Sequence, residues 1–113
     1  MIYDHVFLIG VDGAGAFFKN ADTPNLDYIE KNSPVSFTHN GRTAYPSISS
    51  ECWGAMLLGV TPEAHGFTNS YISDEAHIRT GDVSLPSVFK LTRDKYPNAR
   101  LVSYSEWNPI NIG

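Results

Sequence analysis

Two kinds of side chain stand where they could do chemistry: a carboxylate at Asp12 and the serines Ser47, Ser49 and Ser50. Asp12 closes the apolar run Val6-Phe7-Leu8-Ile9-Gly10-Val11 and is followed at once by Gly13. A buried strand that carries a carboxylate to its C-terminal edge, with a glycine to turn the chain, presents an oxygen ligand to a divalent cation. Ser49 lies where a hydroxyl opens a helix, and a helix start favours a bound anion. A metal-holding carboxylate and a hydroxyl at a helix N-terminus are two parts of a metal-assisted phosphoester cleavage. The plainer readings are equally concrete. An aspartate after a strand is a common turn former, and any of the three serines would serve as an N-cap.

The elements that must hold these residues read as alternating strand and helix. Residues 6–11 are continuously apolar, which predicts a buried parallel strand over 5–11. Asp22-Thr23-Pro24 offers a cap followed by a proline in a first helical turn, and Leu26, Tyr28 and Ile29 share a face behind it. Ser33-Pro34 stops that helix. Residues 35–39 alternate like a short strand, and Asn40-Gly41 marks a turn. A second helix is predicted over Glu51–Leu58, ended by Gly59, with Ser and Glu suiting its positive end. Residues 60–81 have few periodic apolar positions and predict an extended loop. A third helix is predicted over 86–96, with Val88, Phe89 and Leu91 inward. A last strand is predicted over 100–104. Strand–helix–strand order implies a parallel sheet covered by helices, an α/β fold.

Composition narrows the function classes. The chain has 113 residues, 42% hydrophobic and 18% charged, enough for one domain with a modest core. Its formal net charge is -4, without a cluster of Lys or Arg, which argues against nucleic-acid backbone binding as its main role. One cysteine, Cys52, excludes an internal disulfide and leans toward a cytoplasmic location. The run at 6–11 is short and follows Asp4 and His5, so it predicts neither a signal peptide nor a membrane span.

The sequence also resembles the alkaline phosphatase superfamily, nearest its type I phosphodiesterase/nucleotide pyrophosphatase branch. The matching residues are Val6-Phe7-Leu8-Ile9-Gly10-Val11-Asp12-Gly13, Thr23-Pro24-Asn25-Leu26-Asp27 and Tyr45-Pro46-Ser47-Ile48-Ser49. They continue through Gly59-Val60-Thr61-Pro62-Glu63-Ala64-His65-Gly66 to Asn69. Order and spacing agree from residue 5 to about residue 107. The resemblance implies a partial three-layer α/β/α fold with a mainly parallel sheet. It implies that Asp12 is a ligand to one of two divalent metals, usually zinc, with manganese as the other candidate. Ser49 would be both metal ligand and nucleophile, forming a covalent intermediate that water releases. Asn69 would hold a non-bridging phosphate oxygen through its side-chain amide, and the substrate would be a small phosphorylated molecule.

There are departures from that pattern. The branch often continues after the nucleophile with Phe-Pro-Asn-His, where this chain has Ser50-Glu51-Cys52-Trp53. Glu51 adds negative charge near a site meant for an anion. The family's further Asp and His ligands lie downstream of Gly113, and Asp74-Glu75-Ala76-His77 has the wrong spacing to replace them. Residues 1–113 are therefore expected to be the N-terminal portion of a larger catalytic domain, without the C-terminal half that carries the other ligands. Such a portion would hold no metal stably by itself, since stable sites need three or four ligands. It would associate with itself through an exposed sheet edge. The alternative is a non-catalytic α/β module kept for binding or assembly. His65 reads as a structural residue pinning the loop after the helix. His5, His39 and His77 read as surface or strand-edge residues, and Cys52 as a packed thiol.

Overall fold

The computed structural model describes residues 4–38, 40–74 and 84–111. The chain divides into two compact units, Met1–Gly41 and Arg42–Gly113. All regular structure among the described residues is helical.

The first unit holds a short 3-10 turn at Phe17–Lys19 and helix α1, Pro24–Asn32. Proline at the first helical position costs no hydrogen bond, because that N–H has no intrahelical partner. Thr23 flanks it, and its hydroxyl donates to Asp27 Oδ1 at 3.0 Å, tying the first turn together. At the other end Ser33 is extended, with φ -131° and ψ 154°, as the residue before Pro34 must be. No residue of α1 is buried, and the face formed by Leu26, Tyr28 and Ile29 is exposed.

The second unit holds α2 (Ser49–Leu58), α3 (Pro62–His65), α4 (Asn69–Ser73), α5 (Val88–Lys95) and a 3-10 turn at Asn108–Asn111. Helix α2 is the hub: α3, α4 and α5 all pack on it, and α4 also meets the last 3-10 turn. Gly59 ends α2 at φ +70°, in the left-handed region that a Cβ disfavours, while its N–H donates to Ala55 O at 2.9 Å. Ser87 caps α5 by accepting from Lys90 N–H, and Arg93 and Lys95 suit the negative end of that helix. An apolar cavity of about 590 Å³ lies in this unit, lined by Trp53, Leu57, Ile72, Phe89, Leu101 and Ile110 among others. The tightest burial is polar: Ser50 is 1% and Glu51 7% exposed, beside Gly54 and the apolar Ile72.

The predicted α/β architecture is overturned. Among the described residues there is no strand and no sheet, so neither a parallel sheet nor three-layer α/β/α packing is present. The physical reason lies in the hydrogen bonds. A strand exists only through ladder bonds to a neighbour. Among the described residues the backbone bonds outside helices are local, none reaching further in sequence than that of Cys52 N–H to Ile48 O. The run over 5–11, expected to be buried, is exposed: Phe7 is 82% and Ile9 85% accessible. Residues 100–104 likewise leave Val102 and Tyr104 exposed. Residues 35–38 form no strand either, and His39 lies outside the described residues. With no sheet there is no sheet edge for self-association among the described residues. The segment read as an extended loop carries α3 and α4, and its remainder from residue 75 lies outside the described residues, as does His77.

Candidate functional site

The site is built around the N-terminus of α2. The segment leading into it contains a cis Tyr45–Pro46 peptide. It is tied to the first turn of the helix through Cys52, whose Sγ accepts from the Thr43 hydroxyl at 2.9 Å. The thiol also lies 3.7 Å from both Ala44 O and Pro46 O. Half-buried Cys52 thus acts as a local tether.

Ile48, extended at φ -108°, flanks α2 and has no side-chain oxygen with which to cap it. Ser49 is the first helical residue and is half-buried, whereas Ser47 is exposed and Ser50 is buried. The missing cap comes from α4. Asn69 Oδ1 accepts the Ser50 N–H at 3.2 Å and faces the Ser50 hydroxyl at 2.8 Å. The same hydroxyl lies 2.7 Å from Glu51 Oε2. One hydroxyl proton therefore faces two acceptors. The Glu51 carboxylate sits in the first turn, where the helix dipole favours negative charge. Thr68 fixes Asn69 from behind: its hydroxyl accepts the Tyr71 N–H at 3.1 Å, an N-cap that starts α4 at Asn69.

A second lock joins α2 to α3. Phe67 N–H donates to His65 Nδ1 at 2.9 Å, so Nδ1 is an acceptor and the ring proton sits on Nε2. Nε2 then donates to the Glu51 carbonyl at 3.1 Å. His65 thereby spans from the loop after α3 to the first turn of α2, as a structural pin. Gly54 leaves room for the ring. A Cβ there would lie 2.8 Å from His65 Cε1 and 3.0 Å from a Phe67 ring carbon. In α3, the Glu63 carboxyl is held below its ordinary value of 4.5. The chief cause is a hydrogen bond from its own backbone N–H, followed by the Thr61 hydroxyl and, more weakly, His65.

The structure thus brings Ser49, Ser50 and Asn69 together at one helix end within the second unit. Asp12 belongs to the first unit. It occupies a tight turn, where Ala14 N–H reaches Val11 O at 3.4 Å and Gly13 has φ +68°. Among the described residues no group of three or more His, Cys, Asp or Glu side chains converges to hold a metal ion. Among the described residues no helix is long and apolar enough to cross a membrane.

Sequence reasoning missed the Ser50–Asn69 pairing and the place of Glu51 beside it. The available signal was Ile48, a residue that cannot cap the helix it precedes. The small residue at position 54, opposite His65, was a second one.

Comparison with protein families gives a match. A family model described as type I phosphodiesterase / nucleotide pyrophosphatase matches residues 6–96, a span that includes Asp12, Ser49 and Asn69. No curated protein and no solved structure gives a significant match.

Proposed function

The chain belongs to the type I phosphodiesterase / nucleotide pyrophosphatase family, and on that premise we propose that the full-length protein hydrolyses a phosphodiester, pyrophosphate or phosphomonoester bond through Ser49. The family places it among phosphodiesterase/pyrophosphatase-type hydrolases. The finer reading is supported by one observation above the rest. Ser49 opens a ten-residue helix whose N-terminus is capped by Asn69, so a hydroxyl and an amide stand at the end of a helix that favours anions.

In this reading the Ser49 oxygen attacks phosphorus, a P–O bond to serine forms, and the bond to the leaving group breaks. Water then cleaves the phosphoserine ester and frees the enzyme. Neutral serine is a weak nucleophile, and divalent ions in the full-length protein would supply the activation. Asp12 and Ser49 are the proposed ligands from this chain, with zinc the first candidate and manganese the second. The remaining ligands would come from residues beyond these 113, for which this chain is the proposed N-terminal portion. Asn69 is proposed to hold a non-bridging oxygen of a small phosphorylated substrate.

A second reading is a non-catalytic binding or assembly module, in which the Ser50–Asn69 bonds serve only to hold α2 to α4. One experiment separates the two. The full-length protein is assayed with zinc or manganese on p-nitrophenyl phosphate and bis-p-nitrophenyl phosphate, beside Asp12→Ala and Ser49→Ala. Turnover abolished by both substitutions supports the hydrolase. Turnover indifferent to Ser49→Ala removes it as nucleophile.

A further inference from the structure

We propose that Ser50 is a positioning residue: it holds the Asn69 amide by its oxygen, so that the Nδ2 amino group is the end offered to substrate. The proposal rests on the functional reading of Asn69 and adds Ser50, to which that reading assigns no role.

An asparagine amide has one accepting end and one donating end, and only a donor can hold a phosphate oxygen. Asn69 lies at the start of a five-residue helix on an exposed segment, where rotation about its last side-chain bond would present either end. Ser50 removes that freedom. Its backbone N–H can only donate, so the atom 3.2 Å away is Oδ1 and not Nδ2. Its hydroxyl, 2.8 Å from the same oxygen, adds a second donor. Both donors come from a residue that is 1% exposed, so water does not compete for them. The accepting end is thereby committed to α2, and the donating end is left for the anion.

Glu51 tunes this grip. Its Oε2, 2.7 Å from the Ser50 oxygen, competes for the single hydroxyl proton. When that proton goes to Glu51, the backbone N–H alone holds Asn69. When it goes to Asn69, both donors do.

The test uses variants that separate capping from donation. Asn69→Asp keeps an accepting oxygen for Ser50 and deletes the amide donor. Asn69→Ala deletes both. Ser50→Ala deletes one of the two anchors. Hydrogen exchange at the Ser50 amide reads the anchor without reference to activity. Protection is expected in wild type and Asn69→Asp and is expected to fall in Asn69→Ala. Kinetics on the full-length protein read the positioning. Asn69→Asp and Asn69→Ala should each lose roughly 10²–10³-fold in kcat, the scale for one oxyanion donor. Ser50→Ala should lose about tenfold, the equivalent of one hydrogen bond. In an Asn69→Ala background Ser50→Ala should cost nothing further in kcat, because Ser50 acts through Asn69.

Ser50 protection indifferent to Asn69→Ala would overturn the proposal, as would kcat losses that multiply in the double variant. A full-length protein inactive on phosphoesters would sink the hydrolase reading and with it the substrate end of the proposal. The exchange data would still decide whether Ser50 fixes the amide.

Discussion

Residues near the start of α2 are held by single atoms in defined roles, which makes their substitutions informative. Glu51→Gln replaces a buried acceptor with an amide that can donate to the Ser50 oxygen. That commits the Ser50 proton to Asn69 and removes a charge from a site only 7% exposed. The expected outcome is an unchanged or higher thermal midpoint, since burying an ionised group is costly. A midpoint lowered by many degrees would mean the carboxylate has a partner worth more than its burial costs. Gly54→Ala meets the His65 ring at 2.8 Å and must displace it. The expected cost is about 1–3 kcal/mol by chemical denaturation, the range for overpacking. Glu63 contributes an acid-side pH dependence. Its folded pKa is below its ordinary value of 4.5, so the unfolded chain binds more protons as pH falls through that region. Its contribution is full above 4.5 and lost as pH drops through the lower folded value. Glu63→Gln should flatten stability against pH on the acid side only, as measured by urea midpoints across that range. An unchanged acid slope would show that the bonds from its backbone N–H and Thr61 do not form.

At the scale of elements, helices with local start and stop signals were legible and strands were not. Pro24 and Ser33-Pro34 bracket α1 within a residue of its observed ends, and Gly59 stops α2 at the expected place. Those signals act within a few residues of the backbone groups they satisfy, so a sequence carries them whole. An apolar run such as Val6–Val11 becomes a strand only if a neighbouring chain segment supplies ladder bonds, and no such bonds form among the described residues. Helices α3 and α4 were missed because each is too short to show a period, although Pro62 at the first position of α3 and Thr68 as the cap of α4 are local start signals. At the site, Ser49 at a helix start was legible. The Ser50–Asn69 bond was not, because it joins residues 19 positions apart in sequence. Thr68→Ala removes the cap of α4 and should cost about 1 kcal/mol, with faster exchange at the Tyr71 amide as its local signature. An unaltered Tyr71 exchange rate would show that α4 starts without it.

For the whole molecule, apolar surface left in water is the dominant feature. Each large apolar side chain left exposed forgoes about 1.5–3 kcal/mol, and Val6, Phe7, Ile9, Val102 and Tyr104 are all more than four-fifths exposed. The described residues therefore predict strong binding of an apolar dye such as ANS. Substitution of Phe7 or Ile9 by Ser should leave stability within about 0.5 kcal/mol, as for other exposed positions. A loss above about 2 kcal/mol at either position would show that the run is buried in solution.

The central claim is that Ser49 is the nucleophile of a family hydrolase, and a trapping measurement addresses it most directly. The full-length protein, supplied with zinc or manganese, is quenched during turnover of bis-p-nitrophenyl phosphate, and its peptides are mapped by mass. A p-nitrophenylphosphoryl ester on Ser49, absent from Ser49→Ala together with turnover, is the predicted result. Full turnover by Ser49→Ala, or the same adduct carried on Ser47 or Ser50 instead, would contradict it.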